Sequence, residues 1–125
     1  VAVNKQHREF YQLDLDDGWE TPKGYPAGIK QKILSGKLDT ENRCGGHTRL
    51  LKFEPGTYTT LPFEHDYWEE VFVISGDLWV GNDGPKGGER FGLFTYCCRP
   101  PHVAHGPFRS EEGCVLIEQH YYDPQ

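Results

Sequence analysis

Methionine is absent from these 125 residues, and no apolar run approaches the ~20 residues that a bilayer-spanning helix needs. Positive charge is scarce. Thirteen Lys and Arg stand singly along the chain against 19 Asp and Glu, for a net charge of -6. Phosphate neutralisation needs clustered bases, so no nucleic-acid footprint is expected. The four cysteines, Cys44, Cys97, Cys98 and Cys114, contain no C-x-x-C pair, which argues against a zinc ribbon and for buried free thiols. Gly-x-Ser-x-Gly, His-Glu-x-x-His and a phosphate-cradling glycine loop are also missing, and with them the chemistries they serve. The start, Val1-Ala2-Val3-Asn4-Lys5-Gln6, is too polar for a signal peptide. A cytoplasmic address without membrane contact is expected.

What is abundant points to strands and turns. The chain carries 15 Gly, 9 Pro and 14% aromatic residues, the mixture that many short strands joined by tight turns require. Its length suits one domain. Strand character recurs at Glu9–Leu13, Ile29–Ser35, Thr48–Phe53, Glu70–Ser75, Asp77–Val80, Arg90–Cys98 and Cys114–Tyr121. Gly81-Asn82-Asp83-Gly84-Pro85 marks a loop, and only Ala27–Lys32 has room for a helical turn. An antiparallel barrel or jelly roll of about six to ten strands follows. Residues 1–28 read as an arm anchored by Trp19, Pro22, Tyr25 and Pro26, and 29–125 as the barrel. Such an arm covers a sheet edge in its own barrel or in a second subunit, so a homodimer is expected.

Two stretches carry chemistry. The first runs from Pro55-Gly56 through Leu61-Pro62-Phe63-Glu64-His65-Asp66-Tyr67-Trp68-Glu69-Glu70 to Gly76. The second is Arg99-Pro100-Pro101-His102-Val103-Ala104-His105-Gly106-Pro107-Phe108. Together they resemble the two motifs of the cupin superfamily. One motif is Gly, five residues, His-x-His, three or four residues, Glu, six residues, Gly. The other is Gly, five residues, Pro-x-Gly, two residues, His, three residues, Asn. Gly56, Glu69 with Gly76, and Pro100 with His105 fall in place. His102 stands for the second motif's inner glycine, Arg109 for its asparagine and Phe94 for its opening glycine. Counted from Gly56, the paired histidines fall on Pro62 and Glu64; counted back from Glu69, they fall on Phe63 and His65. The resemblance implies an all-β, single-domain cupin (double-stranded β-helix or jelly-roll) barrel with an N-terminal arm.

Strand geometry favours the second count. Residues four apart on a strand share a face, so His65 and Glu69 point together and His105 joins them from a later strand. Two imidazoles and a carboxylate suit a divalent metal, with Fe(II) favoured and Zn, Ni or Mn possible. Glu64 is the alternative ligand, replacing or joining His65. Without a cation, a carboxylate in that lumen is expected to lack compensation. Arg49, with His47 on the same strand face, is a candidate clamp for a substrate carboxylate or enolate, or else pairs with a surface acid. Tyr58, Trp68, Phe72 and Tyr96 either line a pocket for a flat ligand or are plain core. His7, His102 and His120 are expected to be solvated.

Among cupins, Glu69–Gly76, Arg99-Pro100-Pro101 and His105-Gly106-Pro107-Phe108 make the chain similar to three kinds: the anti-sigma-factor cupin module, acetylacetone-cleaving dioxygenases and dihydroxyacetophenone dioxygenases. The expected function is a metal-dependent enzyme, a dioxygenase-type oxidoreductase, acting on a small oxygenated organic molecule. The alternatives are a non-catalytic metal- or metabolite-binding sensor module and a metal-free cupin lyase or isomerase.

Overall fold

Strict alternation along two segments organises the molecule. In Cys114–Tyr121 the residues Cys114, Leu116, Glu118 and His120 turn inward, and in Trp68–Gly76 the inward set is Glu69, Val71 and Val73. The structure, a computed structural model, describes residues 4–124. The first three residues of the expected arm and Gln125 of the expected barrel lie outside the described residues. The strands are β1 (Ile29–Asp39), β2 (Cys44–Phe53), β3 (Trp68–Gly76), β4 (Leu78–Val80), β5 (Glu89–Phe91), β6 (Tyr96–Arg99), β7 (Phe108–Arg109) and β8 (Cys114–Tyr121). Every pairing between them is antiparallel. A five-stranded sheet, β1-β2-β8-β3-β6, packs on a three-stranded one, β5-β4-β7. Among the described residues there is no helix, and hence none long and apolar enough to cross a membrane.

Several sequence expectations need correction. Glu9–Leu13 forms no strand, since among the described residues it pairs with no neighbouring segment. Ala27–Lys32 holds no helical turn; it runs into β1, whose Ile29–Phe53 pairing begins there. Arg90–Cys98 is split into β5 and β6 by a turn in which Thr95 N donates to Gly92 O and Phe94 takes a φ of 64°. Phe108–Arg109 adds the short β7. The end of the arm lies on the chain's own barrel. Glu20 bridges to Gln31, Pro22 is buried, and Tyr25 stacks on Phe63 with ring centres 5.3 Å apart.

The core lies between the sheets and joins Ile29, Leu51, Phe53, Val71, Val73, Leu78, Cys114 and Leu116. Burial raises the Cys114 thiol to about 12, so it behaves as a small apolar side chain. All four cysteines are free, but Cys98 is exposed rather than buried, since it points outward next to the inward-facing Cys97.

The chain crosses from one sheet to the other at Gly76-Asp77. Asp77 is 2% exposed and accepts hydrogen bonds from Trp79 Nε1, Ser110 Oγ and the backbone N–H groups of Glu111 and Glu112. Burial opposes its charge, yet these bonds hold its pKa below the ordinary value. Gly76 has a φ of 77°, and a side chain there would overlap the Gly113 carbonyl. Gly76→Ala is therefore expected to cost more than about 2 kcal/mol, measured by urea unfolding. Gly56→Ala is the comparison, because its φ of 81° is similar but nothing lies within 4 Å of the added methyl, so it should cost clearly less.

Candidate metal centre

One row of the large sheet places four polar side chains next to one another. His47 of β2 pairs with His120 of β8, His120 with Glu69 of β3, and Glu69 with Arg99 of β6. Directly opposed residues share a face, so the row becomes a chain of contacts. His47 Nε2 lies 3.0 Å from His120 Nδ1, His120 Nε2 lies 2.7 Å from Glu69 Oε2, and Arg99 Nη1 donates to Glu69 Oε1 at 2.7 Å. Burial, with the charges of His120 and Arg49 nearby, pushes His47 down to about 3 and keeps it neutral. His120, expected to be solvated near the end of the chain, is 2% exposed. The even-numbered residues of β8 face inward to its last turn, which sequence position alone does not reveal.

The neighbouring row holds Arg49 opposite Glu118. Arg49 Nε and Nη2 donate to Glu118 Oε1 at 2.9 and 2.7 Å, Nη1 donates to Gln31 Oε1, and Nη2 also reaches the Tyr25 hydroxyl. Burial opposes the guanidinium charge, but Glu118 and Tyr25 together more than offset it and raise the Arg49 pKa. Arg49 is thus tied into the wall beneath the cavity, not placed at its mouth as a clamp, and its partner is a buried acid, not a surface one.

Glu69 meets two further imidazoles. Phe63 and His105 exchange backbone hydrogen bonds at 2.7 and 2.9 Å, and His102 N donates to His65 O at 2.8 Å. This short pairing brings the loop before β3 alongside the loop before β7. His65 consequently lies in a loop, not on a strand, and reaches Glu69 through cross-loop pairing instead of strand alternation. His65 Nδ1 bonds to the Tyr67 carbonyl and His105 Nδ1 to the Val103 carbonyl, each at 3.1 Å. A carbonyl only accepts, so each Nδ1 carries a proton, and a ring that holds no second proton presents its Nε2 lone pair. Burial lowers the His105 pKa and favours that neutral form. Both Nε2 atoms lie 3.5 Å from Glu69, His65 from Oε2 and His105 from Oε1.

These donors fit a cation. Their ligand atoms all lie within 4.8 Å of one another, and His65 Nε2 is buried with no hydrogen-bond partner. Two nitrogen lone pairs directed at a carboxylate leave acceptors facing acceptors, an arrangement that a divalent ion satisfies. Glu69, Glu118 and His120 form a second close set, but Arg49 occupies Glu118 and His47 binds the far nitrogen of His120. Glu69 itself is not left uncompensated. Burial would raise its pKa, yet the His120 hydrogen bond and the nearby imidazoles hold it well below the ordinary carboxylate range. The Arg99 ion pair adds to that compensation.

A cavity of about 530 Å³ opens beside this cluster. His65, Glu69, Arg99 and His105 form its polar wall, while Leu51, Phe53, Val71, Val73 and Leu116 supply an apolar floor. Glu64 is exposed and lines the same cavity, 3.5 Å sets of contacts to Glu69 being made by the histidines and not by it. Tyr96 also lines the cavity, with its hydroxyl donating to Glu70. Tyr58, Trp68 and Phe72 are outside this lining: Tyr58 bridges to Arg109, Trp68 stacks on Tyr121, and Phe72 faces outward from β3. Tyr25, read from the sequence only as an anchor of the arm, and Tyr67, which sequence reasoning did not single out, complete the wall. Tyr67 stacks on His65 with ring centres 3.9 Å apart.

Comparisons with known proteins agree with this architecture. The sequence matches the family described as the ChrR cupin-like domain over residues 18–122. No curated protein sequence matches it. Among solved structures, an RmlC-like cupin from Shewanella frigidimarina is similar over 94% of this chain and 95% of its own, at 19% identity and a TM-score of 0.65. An acetylacetone dioxygenase from Acinetobacter johnsonii is similar over 95% of this chain and 78% of its own, at 17% identity and a TM-score of 0.65. A chain from the complex of Rhodobacter sphaeroides SigE with the anti-sigma ChrR is similar over 85% of this one and 50% of its own, at 22% identity and a TM-score of 0.58. Likeness at these identities is likeness of fold.

The Arg99 and His120 contacts set the sign of a stability test. In metal-stripped protein, Glu69→Gln leaves the partly buried Arg99 guanidinium without its carboxylate and should lower stability by about 1–3 kcal/mol at pH 7. Because the folded pKa of Glu69 lies below its ordinary 4.5, its stabilising contribution is present above about pH 4.5 and is lost as the pH falls further. The gap between wild type and variant should therefore narrow in acid, as read from urea unfolding across pH. An equal or higher stability of the variant at pH 7 would mean that the pairing contributes nothing.

Proposed function

This chain belongs to the ChrR cupin-like domain family, and within it we propose a metal-dependent enzyme acting on a small oxygenated organic molecule, most simply a dioxygenase. The observation that carries this reading is the pair of Nε2 lone pairs, locked by backbone carbonyls and turned toward one buried carboxylate. His65, Glu69 and His105 would hold the ion, with Fe(II) favoured and Zn, Ni or Mn able to occupy the same donors. Bound there, the ion would act as a Lewis acid toward an enolate, phenolate or carboxylate, and iron would add open positions for O2. The chain's own contribution is placement. His120 grips Oε2 of Glu69 and fixes the carboxylate plane. The stacked Tyr67 ring and the Tyr67 carbonyl hold His65 from its face and its edge. The apolar floor takes the carbon skeleton and excludes water from the reacting end.

A second reading, a non-catalytic binding module, draws support from the family match itself, since the SigE–ChrR complex contains a similar chain. Turnover separates the two readings. A binding module retains metal and ligand but consumes neither O2 nor a diketone or phenol offered to the iron-loaded protein.

Metal analysis of the purified full chain tests the site. His65→Ala and His105→Ala should each lose bound metal, and the exposed His7→Ala should keep it. His120→Ala should weaken binding by roughly 10- to 100-fold by releasing Glu69. Equal metal content in all four variants would place the site elsewhere.

A further inference from the structure

Arg99 and Arg49 are two arginines in one wall, but they are held very differently. Among the described residues the Arg49 side chain makes four hydrogen bonds to three partners, whereas that of Arg99 makes one, from Nη1 to Glu69 Oε1. Arg99 lines the cavity and keeps 18% of its side chain exposed. Its partner oxygen, Oε1, is also the one that His105 Nε2 faces at 3.5 Å. His65 Nε2 faces the other oxygen, Oε2, which His120 already holds, so a cation that draws on Oε1 beside His105 would compete with Arg99 for it.

Charge in the wall makes that competition consequential. Glu118 is balanced by Arg49 and Glu69 by Arg99, so the pairs are neutral as they stand. A divalent ion added to neutral imidazoles leaves two positive charges in excess, one of them spread over the now weakly partnered Arg99. An excess of that size beside an apolar floor calls for an anion. The remaining charged groups of the cavity, Lys23 and Glu64, are both exposed and do not supply it within the wall.

We propose that Arg99 is a displaceable counter-ion: it closes on Glu69 in the metal-free protein, and loading of the ion releases it to bind a small carboxylate or enolate whose apolar body fills the cavity. The proposal rests on the metal reading above. It assigns the anion-binding role to Arg99, in place of Arg49, and it orders binding, ion first and anion second. By linkage the anion must in turn tighten the ion.

Co(II) and benzoate are suitable probes. The visible spectrum of cobalt reports ligation directly, and benzoate is an anion with a flat apolar body. Calorimetric titration of the full chain is expected to give benzoate an affinity at least about tenfold higher for the Co(II)-loaded form than for the metal-free form. Benzamide, the neutral counterpart, should show no such gain. Arg99→Gln should bind Co(II) more tightly than wild type, about tenfold, because the competing cation is gone, and should lose the benzoate gain. Arg99→Lys keeps the charge and guards against a folding artefact; it should retain wild-type Co(II) affinity and part of the gain. Equal benzoate affinity for the two wild-type forms, with cobalt bound, overturns the proposal and leaves the metal site standing. A gain that persists in Arg99→Gln also overturns it, since benzoate would then be ligating the ion without Arg99. Failure of wild type to bind Co(II) removes the metal reading and this proposal together, and the cobalt titration alone reveals it.

Discussion

A buried carboxylate, that of Glu69, is the constraint around which the rest of the site is arranged. At 5% exposure its charge is costly unless it is matched on every side. The sheet supplies that match across its strands, with His120 on one neighbour and Arg99 on the other. The loops supply two more imidazoles from outside the sheet. Moving any one of these elements by a strand register would turn its side chain to the opposite face and strand the charge. The register of β3 against β8 and β6 is thus a requirement of the electrostatics as much as of the apolar packing.

The same inward faces do two jobs at different heights. Toward one end of the barrel, β2 contributes Leu51 and Phe53, β8 contributes Cys114 and Leu116, and β3 contributes Val71 and Val73. Toward the other end the same strands present Arg49, Glu118, His120 and Glu69. The apolar half provides most of the burial that holds the sheets together. The polar half is tolerated because its groups satisfy one another, the Arg49–Glu118 pair acting as a fixed support behind the cavity. A ligand entering this cavity therefore meets a greasy floor and a charged wall, the combination that selects a small molecule with one polar end.

The missing histidine of the first motif shows how such a site adapts. Phe63 stands where the second count places that histidine, and its ring stacks with Tyr25 of the arm and lies 6.1 Å from His105. Its backbone pairs with His105 and so brings His65 and His105 together. The position keeps a structural part in the site while contributing no donor. His120 brings an imidazole to Glu69 from β8 instead, at Oε2, the oxygen that His65 also faces.

The strand alternation, the glycine turns and the two motif stretches were legible in the residues themselves, because side-chain period and turn chemistry are local properties. They sufficed for an all-β fold and for grouping His65, Glu69 and His105. What lay beyond them was pairing. Nothing near His120 in the chain marks it as buried, since its partners Glu69 and His47 are 51 and 73 residues away. Nothing around Arg49 distinguishes a clamp from a wall support until Glu118 is set opposite it, 69 residues on. Arg99 reads as the start of a proline-rich turn until β6 lies beside β3. Which residues can carry charge inward was determined by the sequence; which charge meets which was decided by strand register and sheet order, because coulombic pairing depends on distance in space and not along the chain.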